Sequence, residues 1–366
     1  MYKFLFLPFM DHFHFLNVFR YITFRMGLSA LTAMMLTFVF GPWVIRKLRA
    51  WKMGAEIRSK ENFPVYEQHK GKQGTPTMGG VMFVGAVVAS SILWADITHP
   101  YVIIAILGIV LFGLIGFVDD YAKFQKKQSK GLTAKQKFLA QALIAVGLGT
   151  YLMKFSQIQD LATKIYMPFV KAGFIGCPGW VWLIFIVLVI TGASNAVNLT
   201  DGLDGLAIGC TVIASLAFTV MTYVIGNKVF CDYLFLEHVR ESAELSVFCS
   251  AMVGAGLGFL WWNANPAQVF MGDTGALSIG GALGVVAVLI KKELYLVLIG
   301  GVFVMEALSV ILQVGSFKLR RKRIFLCAPI HHHFQMKGWT EPNIVVRFWI
   351  LAVIFAVVGL VSLKFR

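Results

Sequence analysis

An acidic turn follows directly on a membrane-length apolar run in this chain. The apolar run 179–197 is followed by Asn198, and Asp201 and Asp204 come next, each before a glycine. Carboxylates at the edge of a hydrocarbon-embedded helix are costly unless they face a cavity, a cation or a partner charge. A helix cap with a tight turn is the simpler alternative, because Asp and Gly favour both. If the next helix begins near Thr200, the two aspartates share one of its faces.

Two further acidic motifs also lie at the edges of apolar runs. Asp119 and Asp120 close the run 100–118, with Lys123 about one helical turn further on, and Asp273 precedes another apolar run. Adjacent carboxylates at a helix C-terminus oppose the helix dipole and therefore need a cation or a basic partner. Bound Mg²⁺ would supply that charge, and Asp273 offers the hard oxygen ligand that Mg²⁺ selects. A surface ion pair with Lys123 and a helix cap at Asp273 are the alternatives.

Three consecutive histidines, His331, His332 and His333, follow a basic run at 318–323. Their imidazoles can donate hydrogen bonds to phosphate oxygens or to a sugar, although a solvated loop is the simpler interpretation. Glu306 and Gln313 are seven residues apart in one apolar run, which predicts a polar pair on one helix face. Carboxylates for Mg²⁺, lysines for phosphate and histidines as donors together favour phosphoryl transfer between two anionic reactants. A site at the membrane edge further implies that one reactant is a lipid.

Composition gives the elements that must position these residues. The chain has 366 residues, of which 58% are hydrophobic and only 14% charged. About ten apolar segments are long enough to span a membrane, so we predict an all-α polytopic bundle of about ten transmembrane helices. No hydrophilic stretch exceeds about thirty residues, which predicts a single transmembrane catalytic domain over 1–366. The aromatic segment 1–20 has no signal-peptide pattern and is predicted to lie at the membrane interface.

Basic residues fall in loops between the predicted spans. Lys and Arg number eight in 46–72, six in 123–137 and six in 318–337, and a few residues, notably Lys291 and Lys292, run against this bias. The positive-inside rule explains the net charge of +15, so we predict no nucleic-acid partner. It places these loops and all of the acidic motifs in the cytoplasm. With about ten alternating spans, both termini then lie on the periplasmic side.

The motifs resemble those of the phospho-N-acetylmuramoyl-pentapeptide transferases. The resemblance rests on Gly74–Gly80, Asn195–Gly205 and Ile330–Phe334 and covers nearly the whole chain. It implies transfer of phospho-MurNAc-pentapeptide from UDP-MurNAc-pentapeptide to undecaprenyl phosphate, which yields lipid I and UMP and requires Mg²⁺. A ten-helix homodimer, multi-pass in the bacterial inner membrane with its active site facing the cytoplasm, is also implied.

The resemblance implies a role for each matching residue. Asp119 and Asp120 resemble the catalytic pair near the lipid phosphate, and Asp273 the catalytic, metal-binding aspartate. The residues that resemble the family's substrate-binding set are Lys72, Lys123, Lys135, Asn198, Asp201, Asp204, Asn263, Phe270, His331, His332 and His333, with Phe270 stacking on uracil. Direct attack by the lipid phosphate, with Asp119 as base, and a covalent phospho-aspartyl intermediate both fit the family. We favour direct attack, because a phosphate monoester is largely ionised at neutral pH.

Two other functions fit the same residues. One is a transferase that moves GlcNAc-1-phosphate to the same lipid, and the supply of each UDP-sugar would separate the two. The other is a transporter of an anionic solute, which would move substrate across sealed vesicles without releasing UMP.

Overall fold

The structure is a computed structural model that describes residues 13–51, 72, 74–126, 131–156, 159–170 and 173–364. Its helices, in chain order, are α1 (Ile22–Ala50), α2 (Gly80–Trp94), α3 (Pro100–Lys126), α4 (Ala134–Lys154), α5 (Gln159–Ala162), α6 (Gly179–Thr200), α7 (Leu206–Ile225), α8 (Lys228–Leu234), α9 (Ser242–Asn263), α10 (Gly272–Leu289), α11 (Glu293–Ile299), α12 (Gly301–Arg320), α13 (Ile330–Met336) and α14 (Glu341–Val361). One antiparallel hairpin, β1 (Lys164–Tyr166) and β2 (Phe174–Gly176), lies between α5 and α6 and pairs Ile165 with Ile175. Of the predicted interfacial segment, residues 1–12 lie outside the described part, and His14–Arg20 form a 3-10 helix.

The prediction of an all-α polytopic membrane protein is confirmed. Eight helices of the described chain are long and apolar enough to cross a membrane, namely α1, α3, α6, α7, α9, α10, α12 and α14. Helix α2 is apolar but has only 15 residues, and α4 carries Lys135 and Lys137 in its first turn. These two helices account for the rest of the ten predicted spans. The sequence also predicts one span over the apolar segment 294–315, but this segment is interrupted at Gly300, where α11 ends and α12 begins. The periplasmic location of both termini stays a prediction.

Helix α10 is the centre of the bundle. It packs against α3 and α6, and its side chains are almost all buried. Glycines make this close approach possible, since a Cβ at Gly280 would collide with the carbonyl oxygen of Ala193 in α6. A Cβ at Gly281 would likewise collide with the ring of Phe112 in α3. The first turn of α10 is thereby held beside the last turns of α3 and α6.

The two lysines that run against the charge bias follow α10, beyond its end remote from the acidic motifs. Lys291 Nζ donates to the carbonyl oxygen of Ala162 at 2.9 Å and to Glu293 Oε1 at 2.7 Å. Lys292 Nζ lies 4.7 Å from the ring centroid of Tyr166, within the range of a cation–π contact. Both lysines are 1% exposed. They are therefore compensated inside the bundle and do not form a charged outer loop.

Candidate active site

Three aspartates meet where α3 and α10 come together. Asp119 and Asp120 lie in the last two turns of α3, which continues to Lys126 beyond the end of the apolar run. Asp273 lies in the first turn of α10. One ligand oxygen from each of the three carboxylates lies within 4.8 Å of the others, as a shared metal ion would require. Asp119 and Asp120 are buried, whereas the Asp273 side chain is 16% exposed.

Asp120 caps the N-terminus of α10. Its Oδ2 accepts hydrogen bonds from the Thr274 N–H at 2.9 Å and from Thr274 Oγ1 at 2.8 Å, and its Oδ1 accepts from the Asp273 N–H at 3.2 Å. A carboxylate is favoured at this position, because the first N–H groups of a helix lack intrahelical partners and carry partial positive charge. The positive partner that the sequence predicts for the acidic pair is thus, for Asp120, the N-terminus of α10. The same hydrogen bonds fix the position of Asp273, which lies in the first turn of α10.

Asp119 is held by two lysines. Its Oδ2 lies 2.6 Å from Lys123 Nζ and 2.9 Å from Lys137 Nζ, while Oδ1 accepts the Leu132 N–H at 2.7 Å. The same two ammonium groups reach Asp273 Oδ2, at 3.0 Å from Lys123 and 2.6 Å from Lys137. Lys123 and Lys137 thus join the carboxylates of α3 and α10 and lie where an anionic phosphate can be offered positive charge.

Lys137 was not among the residues chosen from the sequence, which named Lys135. Helix α4 begins after Thr133, whose side chain forms a capping box with Gln136. At about 100° per residue, positions 135 and 137 point to opposite sides of this helix, about 200° apart. Lys137 faces the aspartates, and Lys135 is exposed and forms no ion pair with the described residues. The lysine-rich start of α4 was the available signal, but the sequence did not indicate which face is inward.

Asp201 and Asp204 lie in a turn between two helices. Helix α6 ends at Thr200 and α7 begins only at Leu206, with Gly205 at a φ of +79° between them. The expectation that both aspartates share a face of the next helix is therefore wrong, because the glycine at positive φ breaks the helix there.

The carboxylate of Asp204 binds other parts of the protein. Its Oδ1 lies 2.7 Å from Lys72 Nζ, and its Oδ2 accepts from Asn265 Nδ2 at 3.1 Å and from the Ala267 N–H at 3.2 Å. Its backbone N–H donates to Glu341 Oε1 at 2.7 Å, at the start of α14. Sequence reasoning missed Glu341. An acidic residue just before Pro342, at the start of an apolar run, pointed only to a helix N-terminus.

Asp201 is the residue of this turn whose carboxylate is poorly compensated. Burial raises its pKa to about 7, and the neighbouring carboxylates of Asp273, Asp120 and Asp204 add to the effect. Lys72 acts in the opposite direction. The charges of Asp120 on α3 and Asp273 on α10 therefore contribute to the raised pKa of Asp201.

Backbone hydrogen bonds bring the glycine-rich motif before α2 to the same place. The Phe270 N–H donates to the Pro76 carbonyl at 2.8 Å, and the Gly79 N–H donates to the Phe270 carbonyl at 2.9 Å. The Phe270 ring is partly buried. A Cβ at Gly80 would collide with the backbone of Gly275, so the first turns of α2 and α10 pack directly together.

The two candidate asparagines differ in what they bind. Asn263 is buried, accepts the Gly205 N–H at 3.1 Å through Oδ1, and donates to the Val269 carbonyl at 2.9 Å through Nδ2. Both ends of its amide thus stabilise the loops of the site. Asn198 is partly buried in the last turn of α6, and its side chain makes no hydrogen bond to any residue that the structure describes.

The histidines lie on the short helix α13. His331 is fully buried, with Nδ1 3.1 Å from Glu306 Oε2, and its ring packs against Gly202. His332 Nδ1 lies 2.6 Å from Gln335 Oε1, and His333 Nδ1 accepts the Leu326 N–H at 3.2 Å. His331 thereby connects α12 and α13 to the acidic turn.

The predicted pairing of Glu306 with Gln313 is wrong. Gln313 Oε1 accepts hydrogen bonds from the N–H groups of Ile324 and Phe325, both at 3.0 Å. Its Nε2 donates to the Phe325 carbonyl at 3.0 Å. Side chains seven residues apart share a helix face, but Glu306 pairs with His331 and Gln313 binds the backbone of Ile324 and Phe325. Gln313 thus anchors the loop that leads to the histidines.

The residues fit a magnesium ion by their chemistry. Three carboxylates supply hard oxygen ligands, and Asp119 Oδ2 and Asp273 Oδ2 both lie beside the ammonium groups of Lys123 and Lys137. An ion between α3 and α10 would take over these oxygens from Lys123 and Lys137. Asp120 is less available, since its two oxygens already accept three hydrogen bonds from the start of α10.

Comparisons with known proteins match segments of the chain that contain most of these residues. Residues 102–291 match the model of glycosyl transferase family 4, and residues 72–84 match phospho-N-acetylmuramoyl-pentapeptide-transferase signature 1. The chain is 54% identical over 354 residues to the phospho-N-acetylmuramoyl-pentapeptide-transferase of Desulfatibacillum aliphaticivorans, with 96% of each chain covered. It is 50% identical over 364 residues to the protein of the same name from Koribacter versatilis, with 96% of this chain and 95% of the relative covered.

Proposed function

The chain belongs to the phospho-N-acetylmuramoyl-pentapeptide-transferase family, and we propose that it makes lipid I. The reaction transfers phospho-MurNAc-pentapeptide from UDP-MurNAc-pentapeptide to undecaprenyl phosphate and releases UMP. The observation that carries this proposal is the group formed by Asp119, Asp120, Asp273, Lys123 and Lys137 at the ends of membrane helices. It offers cations to phosphates and carboxylates to a metal, at a position that a membrane-embedded acceptor can reach.

The chemistry follows from these groups. An oxygen of the lipid phosphate attacks the phosphorus that carries the sugar, and the bond from that phosphorus to the UMP oxygen breaks. Lys123 and Lys137 offset the repulsion between two anionic reactants and stabilise charge on the transferring phosphoryl group. To do so their ammonium groups must turn from Asp119 Oδ2 and Asp273 Oδ2 toward the substrates. His332 and His333 supply further hydrogen-bond donors at the edge of the site.

We propose Mg²⁺ as the cofactor, held by Asp273 with Asp119 as a second ligand. When bound, it would neutralise diphosphate oxygens and assist departure of UMP. Asp120 would act through its cap of α10, which sets the direction of the Asp273 carboxylate. Direct attack stays our proposed mechanism, with Asp119 accepting any proton that the lipid phosphate still carries.

Location and assembly are also part of the proposal. We place the chain in the bacterial inner membrane as a homodimer, with the site in the cytoplasm, as the resemblance implies and as the Lys and Arg distribution supports for the site. Labelling of single cysteines at Lys135 and Glu237 in intact cells tests the sidedness. Only the cysteine at Glu237 should react with an impermeant reagent. Light scattering of the purified protein tests the dimer.

Release of UMP is the decisive assay. Purified protein with undecaprenyl phosphate and Mg²⁺ should release UMP from UDP-MurNAc-pentapeptide, and UDP-GlcNAc should not replace this donor. Reaction with UDP-GlcNAc alone would favour the GlcNAc-1-phosphate alternative. Solute flux in sealed vesicles without UMP release would favour a transporter.

A further inference from the structure

Glu341 is the first residue of α14 and reaches across to two segments of the site. Its Oε1 lies 2.5 Å from Lys72 Nζ and accepts the Asp204 N–H at 2.7 Å. Lys72 Nζ also lies 2.7 Å from Asp204 Oδ1. The side chain of Glu341 is 12% exposed, that of Lys72 15% and that of Asp204 3%. A single glutamate oxygen therefore fixes both a lysine and a backbone amide in a poorly solvated place.

The same helix holds the turn at a second point. Trp349 Nε1 donates to the Gly205 carbonyl at 3.2 Å, two helical turns beyond Glu341. Gly205 adopts a positive φ, and neither α6 nor α7 extends into the turn. The position of Asp201 and Asp204 thus depends on contacts from outside the turn, and α14 supplies two of them.

The chemistry around Glu341 suits a nucleoside better than a lipid phosphate. The carboxylates of Asp204 and Glu341 flank Lys72, and carboxylate oxygens repel phosphate but accept hydrogen bonds from the N–H of a pyrimidine base or the hydroxyls of ribose. Lys72 makes no ion pair, among the described residues, with the group formed by Asp119, Asp120, Asp273, Lys123 and Lys137. An alteration at Glu341 should therefore affect donor binding before it affects the reacting phosphates.

We propose that Glu341 is a positioning residue for the sugar-nucleotide donor. It holds Lys72 and the Asp201–Gly205 turn in the arrangement that accepts the uridine end of the donor, and so sets donor affinity more than the rate of the chemical step. This inference rests on the proposed function, because it assumes a UDP-linked donor.

Steady-state kinetics of Glu341→Gln provide the test. With undecaprenyl phosphate saturating, KM for the UDP-linked donor should rise about tenfold, because the ion pair with Lys72 is replaced by a hydrogen bond to a neutral amide oxygen. The kcat should stay within about threefold, and KM for undecaprenyl phosphate should not change. Glu341→Asp, which retains the charge, should restore part of the donor affinity. Glu237→Gln is the matched control, since Glu237 is exposed beyond the far end of α7.

A double variant separates positioning from a general packing effect. If Glu341 acts through Lys72, Glu341→Gln should add less than about twofold to donor KM in a Lys72→Met background. An unchanged donor KM, an equal rise in KM for the lipid, or full additivity with Lys72→Met would overturn the proposal. If Glu341→Gln does not fold, Glu341→Asp is judged by the same comparison of KM and kcat. Absence of UMP release from the unmodified protein would instead reject the proposed function.

Discussion

Replacement of Asp120 by asparagine tests the conclusion that this carboxylate serves chiefly to cap α10. The amide can retain the two hydrogen bonds from Thr274 but presents a donor, its NH₂ group, to the Asp273 N–H. One charge-assisted hydrogen bond is lost at about 2 kcal/mol, and the other two weaken by roughly 0.5 kcal/mol each. We therefore expect a destabilisation of about 3 kcal/mol.

Thermal unfolding of the detergent-solubilised protein measures this effect. For a chain of this size the loss should lower Tm by about 4 °C. Because the first turn of α10 then shifts, Asp273 is misdirected, and the Mg²⁺ concentration for half-maximal UMP release should rise about tenfold. Asp232→Asn is the matched control, since Asp232 is exposed on α8 at the opposite end of the bundle.

One result would refute this reasoning. If Asp120→Asn left Tm unchanged yet removed nearly all activity at every Mg²⁺ concentration, Asp120 would act directly on the reacting groups. A fall in Tm, together with activity that excess Mg²⁺ partly restores, would support the conclusion that Asp120 acts by capping α10.

Four further predictions concern other residues of the site. Lys137→Met should reduce kcat by about 10²- to 10³-fold, and a larger loss for Lys135→Met would favour the residue named from the resemblance. Asp273→Asn should nearly abolish UMP release while keeping Tm within about 2 °C, with partial recovery at high Mg²⁺; near-normal activity at low Mg²⁺ would exclude it as a ligand. The pKa of Asp201 is raised to about 7 in the folded protein, so the folded state binds this proton more tightly than the unfolded state does. The resulting stabilisation of the metal-free fold is lost as pH rises from about 4 through 7. Tm of Asp201→Asn should therefore fall less than that of the unmodified protein between pH 5 and 8, and parallel curves would contradict the shift. Donor incubated without lipid should give no burst of UMP, whereas a stoichiometric burst would indicate a phospho-enzyme.

Local sequence patterns were sufficient for the class of fold and for finding the three aspartates that the structure brings together. Apolar length predicted the membrane helices, because only a helix satisfies its own backbone in hydrocarbon. The acidic motifs at helix edges were conspicuous, because carboxylates there need compensation. Asp119, Asp120 and Asp273 indeed meet, although they are more than 150 residues apart in the chain at their most distant.

What could not be predicted is which distant segment compensates each charge. Asp120 was expected to need a cation, and its main partners are backbone N–H groups of α10. Glu306 and Gln313 share a helix face by periodicity, yet each binds a segment more than ten residues away. Glu341 had no local signal of function, since its role depends on where α14 begins relative to the turn at Asp204. Such pairings are set by tertiary packing, which periodicity does not encode.

The charge balance of the site supports the proposal that a metal ion takes part in binding two anionic substrates. The carboxylates of Asp119, Asp120 and Asp273 contribute three negative charges, and Lys123 and Lys137 contribute two positive charges, so the group carries one net negative charge. That charge would repel a diphosphate and a lipid phosphate alike. The proposed Mg²⁺ would change the net charge to plus one, and its binding by Asp119 and Asp273 would free both lysines from these carboxylates. Those ammonium groups then become available to the phosphates, so metal binding and substrate binding should reinforce each other.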